Sequence, residues 1–349
     1  MKKLYVCILA LGTLFTSVGH THDLADAMNR VLPSITYIRA QQFQSIEEIN
    51  PVTKAVTKVL VPTSPVIGTG FVIEKNIVVT NHHVIETAIK NKTKIFVSFI
   101  EDNTQYEATI VGYDVISDVA LLKIEGEHPS VEISICNDLR MGTEVFTISH
   151  FYGIGWSGTK GIVSSMSRSD SRYPYVNNVQ LQILSGTGSS GGPVFNEAGK
   201  VIALNRSIIS MLPRSSIGGV NRQLSMVAFP IRGDSVLIAV NKIKKSGVVT
   251  RVDLGVGLVP FGVESSYHLN EDPNFFTGVI VFSKDKDSQT ALESSDLIVS
   301  VDNITFTDPA ELLTYLDDKY SAGDVVKMYV YRNEKLINID VTLESVGNE

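Results

Sequence analysis

The segment Thr187–Pro193, which reads Thr-Gly-Ser-Ser-Gly-Gly-Pro, is the most informative part of this chain. Glycines on both sides of Ser190 permit the tight turn on which a nucleophilic hydroxyl can be exposed. In such a turn, the backbone N–H groups of Gly188 and Ser190 could face a developing oxyanion. A flexible surface loop is the alternative for a segment so rich in serine and glycine. The apolar run Val201–Leu204 follows closely, which favours a turn between buried strands with Ser190 as nucleophile.

A serine nucleophile needs a neighbouring general base, and histidine is the usual one. His83 follows the apolar run Ile77–Thr80 and precedes a segment that can start a short helix. Adjacent residues of a strand point in opposite directions, so only one of His82 and His83 can face the serine. A purely structural histidine is the alternative for either residue. The serine turn elsewhere in the chain favours His83 as the base.

The third member of such a site must orient the imidazole and stabilise its protonated form. Asp118 lies between a polar turn and the apolar run Val119–Leu122. A carboxylate at the start of a buried strand is costly unless it has a partner. Asp114, on the less apolar side of the same turn, is the alternative candidate for this carboxylate. The alternative role for Asp118 is to cap the start of the strand.

The composition restricts the class of protein. The chain has 349 residues, of which 44% are hydrophobic, and a net charge of −7. This is enough apolar material for packed cores and excludes general disorder, and the length predicts about two domains. A modestly acidic chain is a poor candidate for a dedicated nucleic-acid binder. Only two cysteines are present, which excludes a disulfide-rich scaffold and a multi-cysteine zinc fold.

Residues 1–19 have the order of a secretory signal peptide. Two lysines precede the apolar run Leu4–Phe15, and small residues follow up to Gly19, which predicts cleavage after Gly19. An uncleaved membrane anchor is the alternative, although the apolar run is short for a bilayer span of roughly 20 residues. We therefore expect a periplasmic or secreted protein of the bacterial envelope, at the membrane only if this segment is retained.

The rest of the chain divides into two units. Short runs rich in β-branched and aromatic residues dominate up to about residue 230, which is typical of a sandwich or barrel. In residues 233–245, apolar residues recur at the spacing of a helix, and basic residues follow just before Gly247. We place the domain boundary there. The second unit, residues 248–349, contains strand patterns and one helix that begins at Pro309 after the cap candidate Asp308.

The three segments together resemble the HtrA/Deg family of trypsin-like serine proteases. Thr80–Val84 is similar to the family's Thr-Asn-Asn-His-Val block, which selects His83 over His82. Ser117–Leu121 resembles its Asp-(Ile/Val)-Ala-(Leu/Val) block, and Gly188–Gly192 resembles its Gly-Asn-Ser-Gly-Gly block.

This resemblance implies a mostly β chain, with a trypsin-like double β-barrel protease domain over residues 20–247 and a small α+β PDZ domain over residues 248–349. It implies a catalytic triad of Ser190, His83 and Asp118 that uses neither metal nor cofactor. Three departures concern the activation loops of the family: Ser189 replaces Asn, 148–153 replaces the usual Gly-Asn-Pro-Phe-Gly stretch, and the loop from Arg206 to Met226 is long.

Specificity is expected to come from the residues just before the nucleophile. Ile183 and Leu184 lie there with no aspartate to attract a basic side chain, so we expect cleavage after small or medium aliphatic residues. The segment with Asn205, Arg206 and Ser207 is expected to pair with an extended substrate backbone.

The PDZ resemblance rests on Asp253–Val256. The resemblance implies that the backbone N–H groups of Leu254, Gly255 and Val256 receive the C-terminal carboxylate of a peptide, which adds as a strand to the sheet edge. It also implies a homotrimer through the N-terminal segment.

The sequence thus predicts an exported serine endopeptidase that cleaves unfolded or signal-bearing proteins and is regulated by peptides at its PDZ domain. One alternative is a chaperone or peptide-binding scaffold with a largely inactive protease site. The other is a membrane-anchored regulatory protease with a dedicated substrate.

Overall fold

The computed structural model describes residues 23–49, 51, 56–102, 104–136, 139–151, 155–168, 175–206, 224–261 and 277–347. The predicted signal peptide, residues 1–19, and Ser207 lie outside these ranges. Among the described residues, no helix is long and apolar enough to span a membrane.

The first barrel is built from short runs of β-branched and apolar residues. Its six strands are β1 (Ile35–Ile49), β2 (Val56–Glu74), β3 (Ile77–Thr80), β4 (Ile95–Phe99), β5 (Tyr106–Asp114) and β6 (Val119–Lys123). β1 pairs with both β2 and β4, which closes the barrel. Alternate side chains point inward, and Ile38, Val78 and Leu122 are fully buried in its core.

The second barrel repeats this arrangement. Its strands are β7 (Glu144–Phe151), β8 (Gly155–Arg168), β9 (Asn178–Gly186), β10 (Pro193–Phe195), β11 (Val201–Leu204), β12 (Leu224–Ala228) and β13 (Ile231–Arg232). β8 pairs with one edge of β9 and closes the ring, while β12 and β13 pair with successive parts of the other edge of β9. Leu181, Ile183 and Ile202 fill its interior.

A shared core joins the two barrels. Phe71 and Leu121 of the first barrel lie in one cluster with Phe146 and Phe195 of the second, whose rings stack 5.2 Å apart. Helices α1 (Leu24–Val31) and α3 (Gly233–Ser246) cover this cluster, and the helix predicted before Gly247 is confirmed as α3. This packing holds α2 (His82–Asn91), which follows β3, near the turn between β9 and β10.

The C-terminal unit is a small α+β domain. It contains β14 (Arg251–Asp253), β15 (Val256–Pro260), β16 (Val279–Lys284), β17 (Leu297–Val301), α4 (Pro309–Lys319), β18 (Val325–Arg332), β19 (Lys335–Thr342) and β20 (Glu344–Val346). β14 pairs with β20, and β15 to β19 form a five-stranded sheet. The Asp308 carboxylate accepts a 2.7 Å hydrogen bond from the Ala310 N–H, which confirms the predicted start of α4.

The two units are in direct contact. Backbone hydrogen bonds of 3.1 Å join Tyr113 to Gly247 and Val249. A Cβ atom at Gly112 would lie 2.0 Å from the Gly247 carbonyl oxygen, so only glycine fits there. The buried Asp114 carboxylate binds the guanidinium of Arg251, which is also buried. The C-terminal unit therefore docks against the end of β5, next to the turn that leads to Asp118.

Candidate active site

His83 lies in the first turn of α2, where the chain leaves β3. Its imidazole is 41% exposed, whereas the Asp118 side chain is only 2% exposed. The His83 Nδ1 lies 2.8 Å from Asp118 Oδ2, and the His83 backbone N–H donates to Asp118 Oδ1 at 2.9 Å. This two-point contact places the proton on Nδ1 and leaves Nε2 as the basic nitrogen at the surface.

Asp118 also caps the N-terminus of α2. Its backbone carbonyl accepts hydrogen bonds from the His82 N–H at 3.2 Å and from the Asn81 side chain at 2.9 Å. The first N–H groups of a helix lack partners within the helix and favour negative charge. The helix N-terminus thus supplies hydrogen-bond donors to the buried Asp118 residue. Sequence analysis missed the role of Asn81, although it directly precedes the histidine pair.

The backbone of Asp118 is unusual, with a φ of 56°. The left-handed region is costly for residues other than glycine, asparagine and aspartate, and such conformations persist where the surroundings enforce them. Here the turn is held by Asp114, whose Oδ1 accepts from the N–H groups of Ile116 and Ser117. Asp114 is therefore a turn-stabilising residue, and Asp118 is the carboxylate in contact with His83.

His82 faces away from this contact. Its ring is buried and lies 5.0 Å from that of Tyr113, and burial lowers its pKa. The premise that both histidines lie in a strand was wrong, because both belong to α2. The choice of His83 over His82 to face the serine stays a prediction.

The serine turn is docked onto the first barrel. The Thr69 N–H donates to the Ser190 carbonyl at 2.8 Å, and the Thr69 hydroxyl donates to the Gly188 carbonyl at 2.8 Å. Gly191 has a φ of 82°, and a Cβ there would lie 2.2 Å from the Thr69 carbonyl oxygen. Thr69 thus fixes both ends of the turn, a role that sequence analysis missed because its partners lie far along the chain.

The backbone N–H groups of this turn differ in whether a described residue accepts a hydrogen bond from them. Those of Ser189, Gly191 and Gly192 donate to the carbonyls of Gly186, Asn205 and Ser189, respectively. Within the described ranges, the N–H groups of Gly188 and Ser190 have no hydrogen-bond partner. An oxyanion hole requires free N–H groups that point to one position, and the assignment of Gly188 and Ser190 to this role stays a prediction.

The half-buried Ser190 hydroxyl donates to the carbonyl of Arg206 at 3.2 Å. A hydroxyl has one proton to donate. To transfer that proton to His83, Ser190 must exchange the Arg206 carbonyl for the imidazole. Catalytic hydrogen bonds often form fully only when substrate is bound.

Two departures from the family pattern are packed into the structure at Ser189 and His150, whereas 152–153 and 207–223 lie outside the described residues. The Ser189 hydroxyl donates to the Gly186 carbonyl at 2.7 Å and lies 3.0 Å from the Ser185 hydroxyl. The His150 N–H donates to the Thr69 hydroxyl at 3.1 Å, and its ring lies 4.2 Å from that of Tyr37. Burial lowers the pKa of His150.

The residues expected to bind substrate differ in exposure. Ile183 is fully buried in the second barrel and Leu184 is half-buried on the opposite face of β9. Asn205 and Arg206 are 2% and 5% exposed, and an Arg206 nitrogen donates to Asn178 Oδ1 at 2.7 Å. Both side chains are structural, and the Asn205 backbone N–H and carbonyl already bond to Gly192 and Gly191. The pairing of this segment with a substrate strand therefore stays a prediction.

In the C-terminal unit, the predicted peptide site lies between β14 and β15. Leu254 is fully buried, Gly255 has a φ of 65°, and Val256 begins β15. β15 is at the edge of its sheet and pairs with β16 among the described strands. The edge is therefore suited to strand addition.

Comparisons with known proteins agree with this architecture. The model of the trypsin-like peptidase domain matches residues 68–204, and that of the PDZ domain matches residues 240–343. A probable periplasmic serine endoprotease, DegP-like, of Halomonas elongata is 32% identical over 79% of this chain and 56% of that protein. A probable periplasmic serine endoprotease, DegP-like, of Rickettsia conorii is 31% identical over 82% of this chain and 55% of that protein. The chain spans about half the length of these curated relatives.

Solved structures show the same fold. The HtrA-type protease AlgW with a tripeptide gives a TM-score of 0.71 at 20% identity, covering 93% of this chain and 98% of that chain. The serine endoprotease from Yersinia pestis gives a TM-score of 0.60 at 20% identity and covers 92% of this chain and 97% of its own. The predicted trypsin-like double barrel followed by a PDZ domain is confirmed.

Proposed function

Because this chain belongs to the HtrA/Deg family of trypsin-like serine proteases with a PDZ domain, we propose that it is a periplasmic serine endopeptidase. Its proposed substrates are unfolded or signal-bearing proteins. The observation that carries this proposal is the bidentate contact between His83 and Asp118 beside a serine turn with two free N–H groups.

The proposed reaction begins when Ser190 Oγ attacks the scissile carbonyl while His83 Nε2 takes its proton. Asp118 remains ionised and stabilises the imidazolium. The Gly188 and Ser190 N–H groups bind the oxyanion. His83 then gives the proton to the leaving amine, and water, activated by His83, hydrolyses the acyl-enzyme.

The remaining parts of the proposal concern regulation, processing, domain boundary, assembly and specificity, and they rest on the sequence patterns and on the family. Peptides that add to β15 would regulate the protease, in keeping with AlgW structures that hold peptides. We also propose cleavage of the signal peptide after Gly19, a domain boundary near Gly247 and a homotrimer. Cleavage is expected after small aliphatic residues.

One observation favours a second candidate, a peptide-binding scaffold with a largely inactive site. The Ser190 hydroxyl is engaged by the Arg206 carbonyl, so a chain that cannot release this bond would bind substrates without cleaving them.

Digestion of a reduced, unfolded protein by residues 20–349 distinguishes the two candidates. We expect fragments from the wild-type chain and none from the Ser190→Ala variant, because Oγ is the attacking atom. A Ser130→Ala variant is the matched control, since Ser130 is exposed and lies outside the serine turn, and it should retain cleavage. No fragments from the folded wild-type chain would favour the scaffold.

A further inference from the structure

Thr69, in β2 of the first barrel, is fully buried and contacts the serine turn of the second barrel at two points. Its backbone N–H donates to the Ser190 carbonyl at 2.8 Å, and its hydroxyl donates to the Gly188 carbonyl at 2.8 Å. Gly188 and Ser190 are the same two residues whose N–H groups are proposed to bind the oxyanion. Thr69 thus holds the carbonyl of each of these residues from the opposite barrel.

The Thr69 hydroxyl has a defined direction. It accepts a hydrogen bond from the His150 N–H at 3.1 Å, and a hydroxyl has a single proton to donate. Because His150 occupies the acceptor side, this proton points to the Gly188 carbonyl. Strand β7, strand β2 and the serine turn therefore meet at one buried hydroxyl, and hydrogen bonds that continue through such a group strengthen one another.

The carbonyl of Thr69 is linked to the strand that leads to His83. Thr80, the last residue of β3, is also fully buried, and its hydroxyl donates to the Thr69 carbonyl at 2.9 Å. His83 follows three residues after Thr80. Thr69 thus bonds both to the strand end that precedes the base and to the turn that carries the nucleophile.

The turn lies directly against these two threonines. A Cβ atom at Gly191 would lie 2.2 Å from the Thr69 carbonyl oxygen and 2.3 Å from the Thr80 hydroxyl oxygen. A Cβ atom at Gly192 would lie 3.3 Å from Thr69 Cγ2. The two glycines therefore allow a contact close enough to fix the turn relative to β2 and β3, and catalytic groups must be held to within about 0.5 Å.

We propose that Thr69 is a positioning residue for the protease reaction. Its hydroxyl orients the turn so that the Gly188 and Ser190 N–H groups converge on the oxyanion, in register with His83. Thr69 does not touch the substrate in this role. Because the oxyanion exists only in the transition state and the intermediates, loss of the hydroxyl lowers kcat and leaves KM nearly unchanged. This inference rests on the proposed serine endopeptidase function.

The first test compares Thr69→Val with Thr69→Ser in residues 20–349. Valine keeps the branched shape and removes the hydroxyl. We expect kcat for a fluorogenic peptide to fall about 30- to 100-fold in Thr69→Val, with KM within about twofold, because a small misplacement of catalytic groups costs up to roughly 100-fold. Serine keeps the hydroxyl, so Thr69→Ser should retain kcat to within about threefold of the wild type.

Thr36→Val is the matched control. Thr36 is also fully buried, in the neighbouring strand β1, and its hydroxyl has no hydrogen-bond partner among the described residues. Its kcat should therefore change less than about twofold. Thermal unfolding verifies that each variant is folded. If Thr69→Val does not fold, Thr80→Val removes the bond to the Thr69 carbonyl and should lower kcat about fivefold at unchanged KM.

Hydrogen–deuterium exchange over residues 186–195 tests the positioning without catalysis. In this segment the Ser189, Gly191 and Gly192 N–H groups donate to backbone carbonyls, so their exchange reports how firmly the turn is held. We expect exchange to be at least about threefold faster in Thr69→Val than in Thr69→Ser and Thr36→Val, because local opening becomes easier when the turn loses an anchoring bond.

Two results would overturn the inference. One is a Thr69→Val variant whose kcat and exchange both match those of Thr36→Val. The other is an equal loss of kcat in Thr69→Val and Thr69→Ser, which would assign the effect to packing of the methyl group. A wild-type chain that cleaves nothing, while exchange still responds to Thr69→Val, would be a failure of the proposed function and not of the positioning role.

Discussion

Replacement of Asp118 by asparagine should lower kcat by about four orders of magnitude and leave the fold intact. The Asp118 carboxylate accepts a hydrogen bond from the N–H at His83 Nδ1. An asparagine that presents its NH₂ group to Nδ1 would stabilise the tautomer with the proton on Nε2, and that tautomer cannot act as base toward Ser190. Turnover of a fluorogenic peptide measures the loss.

The backbone at this position makes Asp118→Asn a clean substitution. Asparagine tolerates the left-handed conformation found at Asp118, and the carbonyl bonds to His82 and Asn81 do not involve the side chain that changes. We expect a melting temperature close to that of the wild type. Asp26→Asn, at an exposed position of α1, is the control and should retain full activity. Retention of more than a tenth of the activity in Asp118→Asn would contradict the assigned role.

Replacement of Arg251 by methionine should destabilise the contact between the domains by about 3–5 kcal/mol. Arg251 is 2% exposed, and its guanidinium binds Asp114 and Asp317, whose side chains are 0% and 4% exposed. Burial alone would lower the pKa of Arg251, but the two carboxylates outweigh burial and raise it. Methionine fills part of the space. It removes the Arg251 cation from both carboxylates, although Asp317 retains its ion pair with Lys242.

Urea unfolding followed by tryptophan fluorescence and circular dichroism measures this effect. Since two domains need not unfold together, we expect an early transition of the PDZ domain in Arg251→Met. Lys75→Met is the control, because Lys75 and its partner Glu127 are both largely exposed, and such pairs contribute less than about 1 kcal/mol. Adding Asp114→Asn should recover part of the loss, since it removes an unpaired buried charge. An Arg251→Met variant as stable as Lys75→Met would contradict this account.

Much of the site could be predicted from local sequence. Each catalytic candidate lies where an apolar run meets a polar or glycine-rich turn, so His83, Asp118 and Ser190 lie next to the ends of barrel strands. The cap at Asp308 and the proline after it predicted α4 because both act within one helical turn.

The contacts that hold the site could not be predicted because they join distant segments. Thr69 binds a turn 119 residues away, and Arg251 reaches Asp114 across 137 residues. No periodicity of the sequence encodes such pairs. Unlike these long-range contacts, the burial of Ile183 could be predicted locally, since strand alternation places it on the same face as Leu181. Both side chains fill the second barrel.

Labelling with a fluorophosphonate probe, followed by peptide mass spectrometry, tests the central claim most directly. Such a probe reacts with a serine that is activated by a base and lies beside an oxyanion hole. We predict a single adduct on Ser190, absent from Ser190→Ala and strongly reduced in His83→Ala. A folded wild-type chain that takes no label, or takes it on another serine, would contradict the account.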